Sequence, residues 1–172
     1  MKGTIAVCMK EMAQHRFGLA VWKQALARAG FPESRLFVTS EDLPDAKIID
    51  LFNALAEIAG RPVAAVMEAF GEHWSSDYAP RVYRAYYRTA KSARELLLNL
   101  DHVHVVMTRS SEGGSPPRFR YETISDKLLI MHYESNRGLV DLMPGLIRGV
   151  GKYFNENLTV TVKGNAVHIR FP

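Results

Sequence analysis

The spacing of apolar residues changes near Ser110, and this change constrains the fold more than any other feature. Up to that point apolar residues recur three or four positions apart, which is typical of amphipathic helices. Beyond it, short stretches alternate between apolar and polar residues, which is typical of strands with one buried face. The predicted strands are residues 118–121, 127–133, 158–163 and 166–171, and residues 139–154 return to helix between the two pairs. We therefore predict an α+β fold, in which an N-terminal helical subdomain is followed by an antiparallel sheet with an inserted helix.

Glycines divide the helical part into segments of ordinary length. The segments end at Gly18, Gly30, Gly60 and Gly71. After them the pattern predicts one long helix from about residue 80 to residue 107, and residues 111–117 predict a turn-rich connection to the sheet. At 172 residues the chain fits a single domain, residues 1–172. Within it we expect a helical subdomain of about residues 1–60 and a second part of about residues 61–172.

Composition excludes several classes of protein. Hydrophobic residues make up 47% of the chain, which suffices for an ordinary globular core. No apolar run reaches membrane-spanning length and the N-terminus lacks a secretory pattern, so we expect a cytoplasmic protein with no membrane partner. The lone Cys8 excludes an internal disulfide and a cysteine-rich zinc site, and its apolar surroundings predict a core residue.

The net charge of +4 and the pI of about 9.3 raise the question of nucleic-acid binding. The basic residues are scattered among apolar and acidic neighbours, which favours a solvated surface surplus and no nucleic-acid partner. A basic nucleic-acid-binding regulatory domain without a cofactor stays open as an alternative, with Arg118, Phe119, Arg120 and Tyr121 as its candidate surface. An enzyme is a further alternative, but Glu68, Glu72 and His73 have neither a nucleophile–base pair nor a metal cluster beside them, so we predict no catalytic residues.

The triplet Tyr133-x-Ser135-x-Arg137 is a candidate anion site. In an extended segment, two-residue spacing places its two hydroxyls and one guanidinium on the same side. Arginine can bind two oxygens at once while hydroxyls satisfy the remaining lone pairs, so the triplet suits paired carboxylates or a phosphate. By itself such an alternation is also common on the wet face of a strand.

Helical geometry distinguishes His104 from His102. Two residues along a helix rotate the side chain by about 200°, so the two histidines face different ways. The residues one, two and three turns before His104 are apolar: Leu100, Leu97 and Ala93. An imidazole on this apolar stripe either forms a buried hydrogen bond or binds a metal or haem iron. Zinc would require further convergent ligands, whereas haem requires one protein ligand, an apolar pocket and donors for its propionates.

At this point the sequence resembles the haem nitric oxide/oxygen-binding (H-NOX) domain family, which is related to the haem domain of soluble guanylate cyclase. Four motifs carry the resemblance in order and spacing: Met1-Lys2-Gly3-Thr4-Ile5, Leu100-Asp101-x-x-His104, Ser115-Pro116-Pro117-Arg118 and Tyr133-x-Ser135-x-Arg137. The resemblance implies one haem b, ferrous in the sensing state, between the helical subdomain and the sheet. It implies His104 as the iron ligand. It also implies that Tyr133, Ser135 and Arg137 bind the propionates and that Ile5 and Pro117 press on the porphyrin.

The distal residues implied by the resemblance are Leu142, Trp74 and Met9. Family members that bind oxygen stably have a tyrosine where this chain has Leu142. Leucine donates no hydrogen bond, and one such bond to bound O₂ contributes about 1–3 kcal/mol. We therefore expect a sensor that binds NO and CO and little O₂, with the indole N–H of Trp74 as an alternative donor. The resemblance further implies that loss of the iron–His bond shifts the proximal helix and signals to a separate sensor histidine kinase or diguanylate cyclase.

Overall fold

The computed structural model describes residues 1–108 and 117–172, so most of the predicted 111–117 connection, including Ser115 and Pro116, lies outside the described residues. The helices are α1 (Thr4–Phe17), α2 (Leu19–Arg28), α3 (Asp45–Ala59), α4 (Val63–His73), α5 (Ala79–Val82), α6 (Arg84–Thr89), α7 (Ala93–Leu98), α8 (Leu100–Thr108) and α9 (Met143–Phe154). The strands are β1 (Arg118–Ser125), β2 (Leu128–Glu134), β3 (Thr159–Lys163) and β4 (Ala166–Arg170). The predicted α+β class is confirmed. Among the described residues, no helix has the length and apolar content needed to cross a bilayer.

The backbone groups into two compact units, Met1–Phe70 and Gly71–Pro172. The first unit is helical, and the apolar stripes of α1, α2 and α3 supply its core. The fully buried side chains there include Met9, Met12, Trp22, Leu26, Ile48, Leu51, Phe52 and Leu55. Cys8 is buried among them, as predicted. Gly60 ends α3 in the left-handed region with φ 61°, where glycine is favoured over residues with a Cβ.

The second unit contains the sheet, whose strand order is β1-β2-β4-β3 with antiparallel pairing throughout. Burial alternates along β2, so that Leu129, Met131 and Tyr133 point inward. The hairpin between β3 and β4 turns at Gly164, whose φ is 59°, as the Gly-Asn pair predicted. One face of the sheet is therefore the interior face, and β2 runs along it towards Tyr133.

The predicted single helix from about residue 80 to residue 107 is wrong. The segment consists of four short helices, and Ala90 has an extended ψ of 137° that interrupts them. Ser92 then caps α7, because its side-chain oxygen accepts a hydrogen bond from the Glu95 N–H at 3.2 Å. The Ser92-x-x-Glu95 spacing is a helix-start signal in the sequence, and it outweighs the apolar periodicity that runs through it.

Two irregular turns in the second unit were not predicted. Residues Trp74–Tyr78 form a turn of π-helix directly after α4, a geometry that is frequent at functional sites. The predicted helix 139–154 begins with a 3₁₀ turn, Val140–Leu142, before α9 starts at Met143. Leu142 therefore lies at the N-terminal cap of α9 and not within the helix.

Candidate functional site

His104 lies in the middle of α8 and is half-buried, whereas His102 on the same helix is exposed. The predicted difference between the two histidines is confirmed. The Nδ1 atom of His104 lies 3.2 Å from the carbonyl oxygen of Pro117. Because a carbonyl can only accept, Nδ1 donates in this contact. The neutral ring then carries its lone pair on Nε2, the arrangement found in metal-binding histidines whose other nitrogen is held by a backbone carbonyl.

The protonation of His104 follows from its surroundings. Burial lowers the pKa of the imidazole below its ordinary value, and the Pro117 carbonyl and the charge of Asp101 oppose this effect only in part. The ring is therefore neutral at pH 7. A neutral imidazole is the form that binds a metal ion.

Asp101, one helical turn before His104, anchors the N-terminus of α8 to β1. Its two carboxylate oxygens accept hydrogen bonds from Nε and a terminal nitrogen of Arg118, both at 2.7 Å. The backbone N–H of Phe119 donates to the same carboxylate at 2.9 Å. The N–H of Asp101 donates to the hydroxyl of Tyr121 at 3.2 Å, and burial raises the pKa of that phenol to about 12. Three residues of β1, Arg118, Phe119 and Tyr121, thus fix the start of the helix that carries His104.

Replacement of Asp101 by asparagine is expected to destabilise the protein at neutral pH and not in acid. The Arg118 guanidinium, followed by the Phe119 N–H, holds the pKa of Asp101 at about 2. In an unfolded chain the same carboxyl takes up its proton near pH 4. Its contribution to stability is therefore complete above pH 4 and is lost as the pH falls towards 2. Because the pair is partly exposed, the free energy of unfolding should fall by about 1 kcal/mol at pH 7.

Urea unfolding of wild type and Asp101→Asn between pH 7 and pH 3 measures this effect. Glu57→Gln is the matched control, because Glu57 pairs with Arg28 and both side chains are more than half exposed. Its loss should stay below about 0.5 kcal/mol. A difference between wild type and Asp101→Asn that keeps its size down to pH 3 would contradict the assignment of the pKa to this carboxyl.

Phe119 and Tyr133 extend the site from α8 into the sheet. The two residues are cross-strand partners in β1 and β2. The Phe119 ring lies 5.4 Å from the His104 ring and 6.1 Å from the Tyr133 ring, measured between centroids. The Phe119 ring is therefore a neighbour of both the His104 imidazole on α8 and Tyr133, the first residue of the predicted anion motif.

The Tyr133-x-Ser135-x-Arg137 motif is only partly extended, which corrects the prediction that all three residues lie on one extended segment. Strand β2 ends at Glu134, and Arg137 lies in a turn. The turn forms because the hydroxyl of Ser135 accepts a hydrogen bond from the Arg137 N–H at 3.3 Å. Burial nevertheless keeps alternating through the turn: Tyr133 is buried and Ser135 and Arg137 are half-buried, whereas Glu134, Asn136 and Gly138 are exposed.

The predicted distal residues fall into both units. In the second unit Leu142 and Trp74 are both half-buried, and the Trp74 ring lies 5.3 Å from Tyr78 and 6.2 Å from Tyr83. A Cβ atom at Gly71 would lie 2.6 Å from the carbonyl oxygen of Leu142, so the backbone of α4 and the turn before α9 approach closely. In the first unit Met9 is fully buried and Ile5 is half-buried on α1.

The donor chemistry of the second unit fits haem. A neutral imidazole with Nδ1 bonded to a carbonyl suits axial ligation through Nε2. Tyr133, Ser135 and Arg137, less exposed than the residues between them, offer two hydroxyls and one guanidinium for carboxylates. The ring of Phe119 lies near both sets, 5.4 Å from the His104 ring and 6.1 Å from the Tyr133 ring, so the second unit contains both kinds of donor.

The model of the haem-NO-binding family matches residues 2–162. This chain belongs to the haem-NO-binding, or H-NOX, family. Among its relatives, the beta-2 subunit of soluble guanylate cyclase from Rattus norvegicus is 30% identical over 101 residues, covering 57% of this chain and 15% of that protein. The soluble guanylate cyclase gcy-37 of Caenorhabditis elegans is 26% identical over 162 residues, covering 91% of this chain and 23% of that protein. The chain therefore spans only a small part of the length of these two cyclases.

Solved structures give the same H-NOX fold. An oxygen-binding H-NOX domain related to soluble guanylate cyclases, in its oxygen complex, superposes with a TM-score of 0.86 at 25% identity, covering 99% of this chain and 95% of that chain. A Cs H-NOX mutant carrying 4-cyano-L-phenylalanine superposes with a TM-score of 0.88 at 24% identity, covering 99% and 96%, which shows the fold alone. H-NOX domains bind haem and belong to the gas sensors of the soluble guanylate cyclase type.

Sequence reasoning missed Phe119 as part of this site and gave Asp101 and Tyr121 no role in it. Phe119 and Tyr121 had been candidates for a nucleic-acid surface, but Phe119 is 7% exposed and cannot stack on a base. Arg118 is paired with Asp101, and Arg120 pairs with Glu122 at 3.2 Å. The sequence contained one signal that could have assigned Asp101 to the site, namely its position one helical turn before His104.

Proposed function

We propose that this H-NOX domain is a haem-based gas sensor that binds one haem b and, in the ferrous state, selects NO and CO over O₂. The contact between Nδ1 of His104 and the Pro117 carbonyl carries the proposal, because it presents Nε2 as a neutral ligand atom. Membership of the haem-NO-binding family supports it. When bound, haem supplies the iron at which a diatomic gas is held.

We propose that different residues of the chain bind different parts of the haem. His104 would bind the iron through Nε2, and Tyr133, Ser135 and Arg137 would bind the propionates. Pro117 and Ile5 would press on the porphyrin. For Pro117 the support is its contact with the ligand histidine. For Ile5 the support is its place at the end of the first H-NOX-like motif, half-buried on α1.

The gas selectivity is proposed from the residues available as hydrogen-bond donors. Leu142 has no donor, so bound O₂, which carries partial negative charge, would gain no stabilisation from this side chain. NO is nearly neutral and depends on such a donor much less. The Trp74 ring packs beside Tyr78 and Tyr83, and we propose a structural role for its indole. Met9 of α1 is fully buried and, like Leu142, has no N–H or O–H donor in its side chain.

The signal is proposed to leave through α8. His104 would tether this helix while its imidazole is bound, and release of the imidazole would allow the helix to shift. Asp101 and Arg118 connect the start of α8 to β1, so a shift would reach the sheet. A separate sensor histidine kinase or diguanylate cyclase is the proposed partner, on the basis of the resemblance to bacterial H-NOX proteins.

Ultraviolet–visible spectra of the purified ferrous protein test the proposal. A red protein with a Soret band should form stable NO and CO complexes and should show no lasting oxygenated spectrum in air. A colourless protein that takes up no added haem would overturn the cofactor. A persistent oxygenated spectrum would agree with the proposed haem but would disprove the proposed selectivity for NO and CO over O₂.

A further inference from the structure

The ring of Phe119 lies between the two groups that are proposed to bind the haem. On one side is the His104 imidazole, at 5.4 Å between centroids with the planes inclined by 41°. On the other is Tyr133, at 6.1 Å and 50°. Phe119 is only 7% exposed, so its ring is held by packing on the interior face of β1. The ring therefore contacts the imidazole from a fixed position.

The backbone of the same residue is also fixed. The Phe119 N–H donates to Asp101 at 2.9 Å, and Phe119 pairs with Tyr133 across β1 and β2. The position of its Cα is therefore set from α8 and from the sheet together. Substituting the side chain removes the ring and leaves these backbone contacts possible.

A hydrogen bond at Nδ1 does not by itself fix the plane of an imidazole. The contact between Nδ1 and the Pro117 carbonyl, at 3.2 Å, and the covalent bond at Cγ hold two adjacent ring atoms, and the ring can still tilt about the line that joins them. A flat neighbour against the ring restricts the tilt, because inclined aromatic pairs have preferred geometries. These two restraints come from neighbouring positions of the same segment, Pro117 and Phe119.

We propose that Phe119 is a positioning residue, whose ring fixes the orientation of the His104 imidazole and couples it to the strand that carries Tyr133. The proposal rests on the proposed haem-binding function. It adds that the ligand histidine and the propionate-binding strand are mechanically connected through one side chain. Movement of the imidazole would then displace Tyr133 as well as α8.

Two substitutions test the ring, with a matched control. Phe119→Leu removes the ring, and Phe119→Met replaces it with an unbranched, flexible chain of about the same volume as leucine, which can fill an irregular gap that leucine leaves open. Phe171→Leu is the control, because Phe171 is 8% exposed in the same unit and its ring contacts Arg94, at 5.2 Å. The chemical change is identical at the two positions.

The first measurement uses protein without haem. Nitrogen-15 NMR of the His104 ring reports which nitrogen carries the proton when the ring is neutral. Wild type and Phe171→Leu should show predominantly protonated Nδ1. The Phe119 variants should shift the ratio of the two tautomers by about two- to tenfold, the range expected for loss of one aromatic pair.

The second measurement uses ferrous protein with haem. The iron–His stretching band in the resonance Raman spectrum should broaden or move in both Phe119 variants and stay at its wild-type position in Phe171→Leu. Unchanged tautomer ratio and unchanged band in folded Phe119 variants would overturn the positioning role. A wild-type spectrum without an iron–His band would instead overturn the proposed function, and the measurement without haem would still decide the role of Phe119.

Discussion

A His104→Ala protein is expected to lose the proximal ligand and most of its capacity to retain haem. His104 is the half-buried imidazole of α8 and its Nδ1 atom is held by Pro117, so the alanine variant loses the Nε2 atom that is proposed to bind the iron. Loss of residues that only support a metal ligand typically costs 10- to 100-fold in affinity, and loss of the ligand should cost at least about tenfold. Haem content per protein and the ferrous spectrum measure the effect.

The neighbouring histidine provides the control. His102 is exposed on the same helix, and His102→Ala should retain haem and give the wild-type ferrous spectrum. Urea unfolding of both variants separates loss of ligation from loss of folding. An unchanged ferrous spectrum and an unchanged NO response in His104→Ala would disprove the ligand assignment.

A Leu142→Tyr protein is expected to bind O₂ more tightly than the wild type. Leu142 is half-buried at the cap of α9, in the position proposed to face bound gas. A tyrosine hydroxyl there could donate a hydrogen bond to O₂, which is worth about 1–3 kcal/mol, or roughly a ten- to hundredfold gain in affinity. Affinities for O₂, CO and NO measured by gas titration of the ferrous protein test this prediction.

Leu142→Phe is the control that distinguishes the effect of the tyrosine hydroxyl from the effect of the aromatic ring. Both variants introduce an aromatic ring of about the same size at residue 142, so any change from crowding should appear in both. Only the tyrosine variant should gain affinity for O₂, whereas CO and NO should respond alike in the two proteins. An equal gain in O₂ affinity in both variants would show that shape, and not the hydrogen bond, controls selectivity at this position.

Local sequence patterns predicted the class of the fold and the position of the candidate ligand. The alternation within β2 and the Gly-Asn turn between β3 and β4 are visible in a few consecutive residues, and both occur as predicted. The distinction between His104 and His102 depends only on helical spacing. The structure agrees with this distinction even though α7 ends at Leu98. Helix α8 begins only two residues later, at Leu100, so the less exposed side of α7 continues into α8.

Periodicity failed where capping and turn chemistry compete with it. The apolar stripe runs through residues 90–92, but an extended Ala90 and the Ser92 cap interrupt the helix there. Likewise, the alternating pattern through Arg137 predicted a continued strand, whereas Ser135 bonds back to the Arg137 N–H and ends it. Side-chain bonds of serine to the local backbone decided both cases.

The sequence by itself determined that helices precede an antiparallel sheet and that His104 faces an apolar side, and its two-residue spacing predicted one side for Tyr133, Ser135 and Arg137. Only the tertiary structure decided that β1 packs against α8. That packing places the Pro117 carbonyl on Nδ1, the Arg118 guanidinium on Asp101 and the Phe119 ring against the imidazole. Patterns of three or four residues report the environment of one element, whereas these contacts join residues 13 to 17 positions apart, as their hydrogen bonds show. Which strand meets which helix is a property of the whole fold.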